Sequence, residues 1–238
     1  MIMNTMPNIQ ETNSCNVMDI SNRSTETKKE KTRGFTSDGR PVPKAADSIK
    51  TIKEVNKIRN YFLDKKEYRN YMLWMLGICT AYRCGDILSF KFSDIFEEDK
   101  ITFKRNISLY EEKTGKYREM EITEPMKLAI NKYIESIDNN FELNDYLFQS
   151  RKGDNKHLKV RSVEKIFSNM GEELKLPYNV STHSMRKTFS YWFLMTHKND
   201  ITALTTLMEL LNHSSEKITL AYAGISKEER RNMARDVS

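Results

Sequence analysis

The sequence has 238 residues, of which 38% are hydrophobic, and its 39 lysines and arginines exceed its 33 aspartates and glutamates. This length supports one hydrophobic core and at most a small appendage, so we expect one main domain. The formal charge of +6 favours a polyanionic partner. No apolar run is long enough to span a bilayer and no secretory leader is visible, so a membrane protein is excluded and a cytoplasmic protein is expected.

The three cysteines, Cys15, Cys79 and Cys84, lack the paired spacing that binds a metal. An odd number of cysteines in a basic chain without a leader is typical of a reducing compartment. The sequence also offers no cluster of carboxylates for a metal ion, so we expect neither a metal nor a cofactor.

Residues 1–45 are rich in Asn, Ser, Thr, Lys and Glu and contain one aromatic residue, Phe35. Such a stretch buries too little apolar surface to offset its ordering entropy, so it is predicted to be a disordered polar tail. For the basic run from Lys28 to Arg33 two interpretations stay open: an arm that orders on DNA, or a solvated tail, because an acidic residue interrupts it. The main domain is predicted to occupy residues 46–238.

Helical periodicity opens the predicted main domain. Asp47 or Ser48 is expected to cap a first amphipathic helix, and a second, strongly apolar helix is predicted from Tyr68 to Tyr82. Arg83 follows the second helix directly. Taken alone, an arginine there is as consistent with a capping or snorkelling side chain as with a functional one.

Residues 101–110 and 117–122 alternate between apolar and polar side chains and are predicted to form two strands. Residues 111–116 include a glycine and are expected to join the strands as a hairpin. Two further amphipathic helices are predicted at residues 124–137 and 160–174. The fold class is therefore mainly α with a small antiparallel β-sheet (α+β).

Two elements of the last quarter carry polar residues on faces that the core does not need. Ser181 or Thr182 is expected to cap a helix in which His183 and Arg186 fall on a different side from the apolar stripe. A cation and an imidazole in the first two turns of a helix make a natural seat for a phosphate.

A second helix of this region is predicted from Asp200 to about Asn212, with His213 where that helix should end. Tyr222 follows nine residues later, in a segment with too few polar residues for a free loop.

This constellation resembles the C-terminal signature of the tyrosine recombinase (phage integrase) family. The matching residues are His183-x-x-Arg186, then Leu-x-His213, then Tyr222 nine positions on. Asn212 stands where the family usually has glycine. The resemblance covers the predicted main domain and implies the fold of the family's catalytic domain.

The remaining positions of the family's catalytic set are present upstream. Arg83 followed by Asp86 matches the arginine and acid that open the set, although the family more often has glutamate there. The resemblance implies that the Asp86 carboxylate fixes the orientation of the Arg83 guanidinium. Lys113, before Thr-Gly, matches the family's hairpin lysine, and Lys116 is the alternative.

By resemblance, the chain is expected to cleave and rejoin DNA. Arg83 and Arg186 would bind the non-bridging oxygens of a phosphate, because planar guanidinium groups suit that geometry. Tyr222 would be the nucleophile, and its product would be a 3′-phosphotyrosine link that conserves the bond energy.

The same resemblance gives roles to three proton-handling residues. His183 is expected to accept the phenol proton, and His213 is expected to donate a hydrogen bond to the phosphate. Lys113 is expected to protonate the departing 5′ oxygen.

Double-stranded DNA is the expected partner. Basic side chains near the predicted site are candidates for contacts to the DNA backbone, and an ordinary charged helix face is the equally open alternative for those around residue 160. The candidates are Lys116, Lys156, Lys159, Arg161, Lys165 and Lys187.

Two further partners are expected from the resemblance. Ser226 can cap a charged helix at residues 227–235, which in related recombinases packs on a neighbouring subunit, so a homo-oligomer (a dimer or tetramer on DNA) is predicted. Related proteins usually carry a helical DNA-grasping domain before the catalytic one, whereas only the tail precedes it here. Two expectations stay open: DNA binding that is weak and salt-sensitive, or a partner that supplies the other half of this clamp.

Three functions stay open at this point. The leading prediction is a site-specific recombinase or integrase of a mobile element. The second is a plasmid resolvase or a relaxase-like nicking enzyme. The third is a catalytically silent DNA-binding regulator of another recombinase, against which the intact catalytic set argues.

Overall fold

The computed structural model describes residues 46–225. The predicted tail of residues 1–45 and the predicted charged helix at residues 227–235 lie outside the described residues. The elements of the described range, in chain order, are α1 (Ile52–Asp64), α2 (Tyr68–Cys79), α3 (Cys84–Leu88), a 3₁₀ turn (Phe92–Asp94), β1 (Asn106–Tyr110), β2 (Tyr117–Glu121), α4 (Glu124–Glu135), α5 (Val160–Glu173), α6 (Thr182–Thr196), α7 (Ala203–Leu211) and α8 (Glu216–Ala223).

The predicted fold class, mainly α with a small antiparallel sheet, is confirmed. β1 and β2 form a two-stranded antiparallel sheet in which Tyr110 lies opposite Tyr117. The predicted first strand began at residue 101, which is wrong. Phe103 instead forms an isolated bridge with Phe96, and the centroids of the two rings are 4.5 Å apart.

Helix α2 forms the centre of the core and packs against α1, α4 and α6. Its Trp74 side chain is fully buried. Gly77 permits the contact with α6, because a Cβ atom at that position would lie 2.1 Å from the Sδ atom of Met185. Arg83 follows α2 and Arg186 belongs to α6, so this close helix contact helps to set the separation of the two arginines.

The segment at residues 46–50, here called the strap, belongs to no helix or strand and is hydrogen-bonded to α6 and to the end of α8. The amide of Ile49 donates to the Oγ1 atom of Thr188 at 2.9 Å. The hydroxyl of Ser48 donates to the carbonyl oxygen of Ala223 at 3.1 Å. The strap therefore connects the start of the described chain to the helix that carries Tyr222.

The predicted caps of the first helix are wrong. Thr51 caps α1, since its Oγ1 atom accepts a hydrogen bond from the Glu54 amide at 3.2 Å. The side chains of Asp47 and Ser48 make tertiary contacts instead, and Asp47 accepts from the amide of Asn179 at 3.1 Å. Local capping patterns in the sequence do not reveal such long-range partners.

Helix α8 was not predicted as a helix. Ser215 caps it by accepting from the Ile218 amide at 3.3 Å. Gly224 ends it in a left-handed conformation with φ of 79°, where a Cβ atom would lie 2.7 Å from the Oγ atom of Ser48. A glycine is therefore required both by the backbone and by the strap.

Candidate active site

Three arginines converge on the carboxylate of Glu111, the residue that follows β1. Arg83 Nη1 lies 2.7 Å from Glu111 Oε2. Arg118 Nη1, on β2, lies 3.1 Å from Glu111 Oε1, and Arg186 Nη1, on α6, lies 3.8 Å from the same oxygen. We call Arg83, Arg118 and Arg186 the arginine cluster.

The cluster is buried to different depths. The Glu111 side chain has an exposed fraction of 0% and the Arg186 side chain 5%, whereas Arg83 keeps 27%. The Nη1 atoms of Arg83 and Arg186 are buried without a hydrogen-bond partner of good geometry among the described residues. Both atoms face the Glu111 carboxylate, so the donors left for a ligand are the remaining N–H groups of each planar guanidinium.

The surroundings of the cluster keep its carboxylate and its guanidinium groups ionised. Burial on its own would raise the pKa of Glu111, but the Thr114 hydroxyl, which donates at 2.6 Å, and the neighbouring guanidinium groups lower it below its ordinary value. Burial lowers the pKa of Arg186 to about 10. Both groups are ionised at neutral pH, so the cluster has three positive charges around one negative charge.

Arg186 also joins α6 to the end of α7. Its Nη2 atom donates to the carbonyl oxygen of Leu211 at 2.8 Å. Leu211 is the last residue of α7, and Asn212 follows it in a left-handed conformation with φ of 54°. Asparagine tolerates this conformation better than most residues, so it can stand where the resembled family has glycine. His213 therefore lies two residues after the carbonyl that Arg186 holds.

Tyr222 lies half-buried on α8 beside His213. The centroids of their rings are 5.0 Å apart with an interplanar angle of 77°, and the ammonium of Lys187 lies 5.4 Å from the Tyr222 ring centroid. Burial raises the pKa of the Tyr222 phenol, and the charges of Arg186 and Arg83 oppose that shift. The two guanidinium groups therefore act electrostatically on this hydroxyl.

Thr219 determines which nitrogen of His213 carries the hydrogen. The Thr219 hydroxyl donates to the carbonyl oxygen of Ser215 at 3.1 Å and lies 3.1 Å from His213 Nδ1. Since the hydroxyl hydrogen is used, Thr219 accepts from Nδ1–H, and the Nε2 atom of neutral His213 keeps a lone pair. Partial burial lowers the pKa of His213, and the charges of Arg186 and Arg83 lower it further.

His183 lies in the first turn of α6 and is exposed. Partial desolvation lowers the pKa of its imidazole, and the charges of Arg186 and Lys187 lower it further. His183 is therefore neutral at pH 7 and able to accept a proton.

The two hairpin lysines have different surroundings. Lys113 is exposed and lines a concave surface together with Arg83, Gly85 and Asp86. The ammonium of Lys116 instead donates to the side-chain oxygen of Asn212. Lys113 is thus the hairpin lysine that lies beside the first arginine of the cluster.

Asp86 contacts the hairpin. Its Oδ1 atom accepts from the Glu112 amide at 3.3 Å, and burial raises the pKa of its carboxyl. The ion pair of the Arg83 guanidinium is with Glu111, a residue that sequence analysis did not single out. The role expected for Asp86 stays a prediction.

Glu111 and Arg118 were missed although the sequence carries a signal for both. In the hairpin the inward positions alternate, so that Ile107 and Glu111 are buried on one side of the turn and Arg118 and Ile122 on the other. Charged residues on the inward face of a strand need partners. The alternation therefore marks both residues, but it does not reveal that Arg83 and Arg186 join them.

The candidate DNA-backbone residues divide into two groups. Lys187 donates to the carbonyl oxygen of Ala46 at 2.8 Å in addition to its contact with Tyr222. The others near α5 are exposed, and α5 begins close to the cluster, because a Cβ atom at Gly85 would lie 3.8 Å from Val160. These exposed residues are Lys156, Lys159, Arg161 and Lys165.

Residues 46–225 contain neither a cluster of metal ligands nor a membrane-spanning helix. No group of three or more His, Cys, Asp or Glu side chains in this range could hold a metal ion. None of the helices in the same range has the length and apolar character needed to cross a membrane.

The described residues have the fold of a tyrosine recombinase catalytic domain. The chain belongs to the phage integrase family, whose model matches residues 48–229. It is 31% identical over 183 residues to the probable integrase/recombinase YoeC of Bacillus subtilis (strain 168), and the match covers 76% of this chain and 90% of that protein.

Solved structures show the same fold at low sequence identity. XerA recombinase matches with a TM-score of 0.61 and 19% identity, covering 81% of this chain and 66% of its own. XerH recombinase in a post-cleavage complex with its palindromic difH substrate matches with a TM-score of 0.59 and 18% identity, covering 77% and 51%. The chain therefore spans about half to two thirds of these solved chains.

Proposed function

We propose that the chain is a site-specific DNA recombinase or integrase of a mobile element that cleaves and rejoins strands through a 3′-phosphotyrosine link. The observation that carries this proposal is the position of Tyr222 beside His213, with ring centroids 5.0 Å apart, next to the end of α7 that Arg186 holds through the Leu211 carbonyl. Membership of the phage integrase family supports the same reaction class.

The arginines supply the phosphate site. In the attack on a phosphodiester, negative charge builds on the two non-bridging oxygens, and fixed donors that face those oxygens lower the barrier. Arg83 and Arg186 have the donor capacity for this role, and planar guanidinium groups bind phosphate through two parallel hydrogen bonds.

The reaction transfers the phosphoryl group from one oxygen to another. The Tyr222 oxygen forms a bond to phosphorus while the bond to the 5′ oxygen breaks, so no external oxidant or energy source is needed. The phenol proton passes to His183, which is neutral at pH 7, and Lys113 supplies the proton that the 5′ oxygen needs. When the anionic phosphate binds, its charge favours the imidazolium form of His213, so that Nε2 takes up a proton from solvent and donates it in a hydrogen bond to a non-bridging oxygen. The reverse steps rejoin the strands.

DNA and a second copy of the chain are the proposed partners. XerH has been solved bound to its difH substrate, and lambda integrase as a dimer bound to a COC′ core site. By analogy we propose that this chain acts as a dimer or tetramer on double-stranded DNA, with residues 227–235 in the subunit contact. A separate clamp partner stays a prediction.

A covalent-capture experiment tests the nucleophile. The full chain is incubated with a pool of short random duplexes, each nicked at its centre so that the cleaved fragment diffuses away. DNA that stays attached to protein under denaturing conditions is recovered and sequenced, and the enriched duplex becomes the defined substrate. We expect an adduct that Tyr222→Phe abolishes without loss of DNA binding.

The outcomes separate the candidate functions. A released fragment with a 5′-hydroxyl, detected by enzymatic phosphorylation, supports the 3′-phosphotyrosine link. An adduct that persists in Tyr222→Phe would assign the nucleophile elsewhere. Sequence-selective binding without any adduct would instead favour a DNA-binding regulator.

A second substrate tests the proposed acid. Lys113→Ala is expected to slow cleavage, and a substrate whose 5′ leaving atom is sulfur should restore the rate, because a thiolate leaves without a proton. If the sulfur substrate restores the cleavage rate of Lys116→Ala but not that of Lys113→Ala, Lys116 is the general acid.

A further inference from the structure

Glu111 connects the arginines of the site to the hairpin. Its Oε2 atom lies 2.7 Å from Arg83 Nη1 and accepts from the Thr114 hydroxyl at 2.6 Å. Its Oε1 atom lies 3.1 Å from Arg118 and 3.8 Å from Arg186. One buried carboxylate therefore contacts α6, β2, the hairpin turn and the residue that immediately precedes α3.

The arginines need such an anion. Three guanidinium groups repel one another at these distances, and in a region of low dielectric the repulsion is weakly screened. A long arginine side chain also has many rotamers, and holding it in one of them costs entropy. A fixed carboxylate between the groups opposes the repulsion and selects one orientation of each guanidinium. The net charge of the site stays positive, which suits a phosphate.

Burial makes displacement of this carboxylate by a phosphate unfavourable. The Glu111 side chain has an exposed fraction of 0%, and it accepts from Thr114 within its own turn. Arg83, by contrast, keeps 27% of its side chain exposed. The carboxylate is therefore buried more deeply than Arg83, and the exposed part of Arg83 is where a phosphate can enter the cluster from solvent.

We propose that Glu111 is a positioning residue, which orients Arg83 and Arg186 for the scissile phosphate and fixes the hairpin that carries Lys113 against them. This inference rests on the proposed function. It predicts that replacing Glu111 slows cleavage mainly when the scissile phosphate carries its negative charge.

The test compares two substrates with the sequence selected above. In the first the scissile phosphate is unmodified. In the second a methyl group replaces one non-bridging oxygen, which removes the negative charge that the arginines neutralise. Single-turnover cleavage is measured for the wild-type chain and for Glu111→Gln, which keeps the shape of the side chain and removes its charge.

We expect Glu111→Gln to cleave the charged phosphate slower by a factor on the order of 100, comparable to the loss of one transition-state donor. On the methylphosphonate the ratio of wild-type to variant rates should fall to about 5 or less, because the oriented arginines matter less there. Glu119→Gln, a substitution of an exposed acid on the same hairpin, is the matched control and should leave both rates unchanged.

Several outcomes would overturn the inference. Equal losses on both substrates would mean that Glu111 supports the fold alone, and an unchanged rate on the charged substrate would exclude any role. If Glu111→Gln fails to fold, Glu111→Asp is compared instead, and a loss confined to the charged phosphate supports the inference. A wild-type chain that forms no adduct at all would refute the proposed function. A wild-type chain that cleaves only as fast as Glu111→Gln would refute the role of Glu111 and leave the proposed function standing.

Discussion

The ammonium of Lys116, at the hairpin turn, donates a hydrogen bond to the side-chain oxygen of Asn212, at the end of α7. This contact joins the turn that carries Lys113 to the residue immediately before His213. A glycine at position 212, as the resembled family usually has, could not make it.

We therefore expect Asn212→Gly to loosen the hairpin without unfolding the domain. Glycine adopts the left-handed conformation at no steric cost, so the free energy of unfolding should change by about 1 kcal/mol or less. Hydrogen exchange of the amides in residues 111–116 should become faster. Asn212→Asp keeps an acceptor for Lys116 and should slow the same exchange, and equal rates in all three proteins would contradict the role of this contact.

Gly77→Ala should destabilise the domain. The added Cβ atom would lie 2.1 Å from Met185 Sδ, so α2 and α6 must separate or Met185 must change rotamer, at a cost of about 1–3 kcal/mol. Thermal unfolding followed by circular dichroism measures this change. Gly171→Ala, in α5, is the control because no atom lies within 4 Å of its added Cβ. Equal stability of the two variants would show that the contact of α2 with α6 is not tight.

The cleavage rate should depend on pH through His183. Its pKa is below the ordinary value because of partial desolvation and the charges of Arg186 and Lys187, so the ring takes up its proton only at a pH below about 6.5. We expect a rate that is flat near pH 7 and falls only at a pH below the ordinary range of histidine titration. Single-turnover rates on the selected duplex test this.

His183→Gln serves as the comparison in the pH experiment. It should lower the rate at pH 7 and remove most of the decline at low pH. A wild-type rate that keeps rising tenfold per pH unit above pH 7 would argue that another group is the base.

Thr219→Val should change the tautomer of His213. The substitution keeps the side-chain shape but removes the acceptor that faces Nδ1. Nitrogen-15 NMR of the imidazole should show hydrogen on Nδ1 in the wild type and a mixture of tautomers in the variant. Loss of one such hydrogen bond costs about 1 kcal/mol, or about fivefold in cleavage rate. Thr205→Val, at an exposed position of α7, should have no effect on either measurement.

The sequence predicted the helices well where their apolar spacing was regular. α2, α4 and α5 are examples, because a buried stripe depends on the period of the helix and on little else. It predicted the caps of α1 poorly, since Asp47 and Ser48 make contacts with residues more than a hundred positions away. Helix α8 was missed for a different reason: it is short, and its packing on α6 and α7 supports it rather than a long apolar period.

The site was predictable in part. Arg83, Arg186, His213 and Tyr222 were singled out through a spacing that resembles a known family, and the structure brings them into one region. Glu111 was not singled out, because its importance comes from a meeting of three arginines that are far apart in the chain. A spacing pattern records which residues recur and does not record what holds them in place.

The strap sets a practical limit on where this protein can be cut. A shortened version that begins at the first residue of α1 would lose the bonds from Ser48 and Lys50 to the carbonyls of Ala223 and Gly224, at 3.1 and 2.8 Å. These carbonyls follow Tyr222 directly, and the strap also places the fully buried Ile49 in the core. Such a fragment would therefore lose a core side chain together with the contacts that hold the turn after Tyr222, although the lost residues belong to no helix.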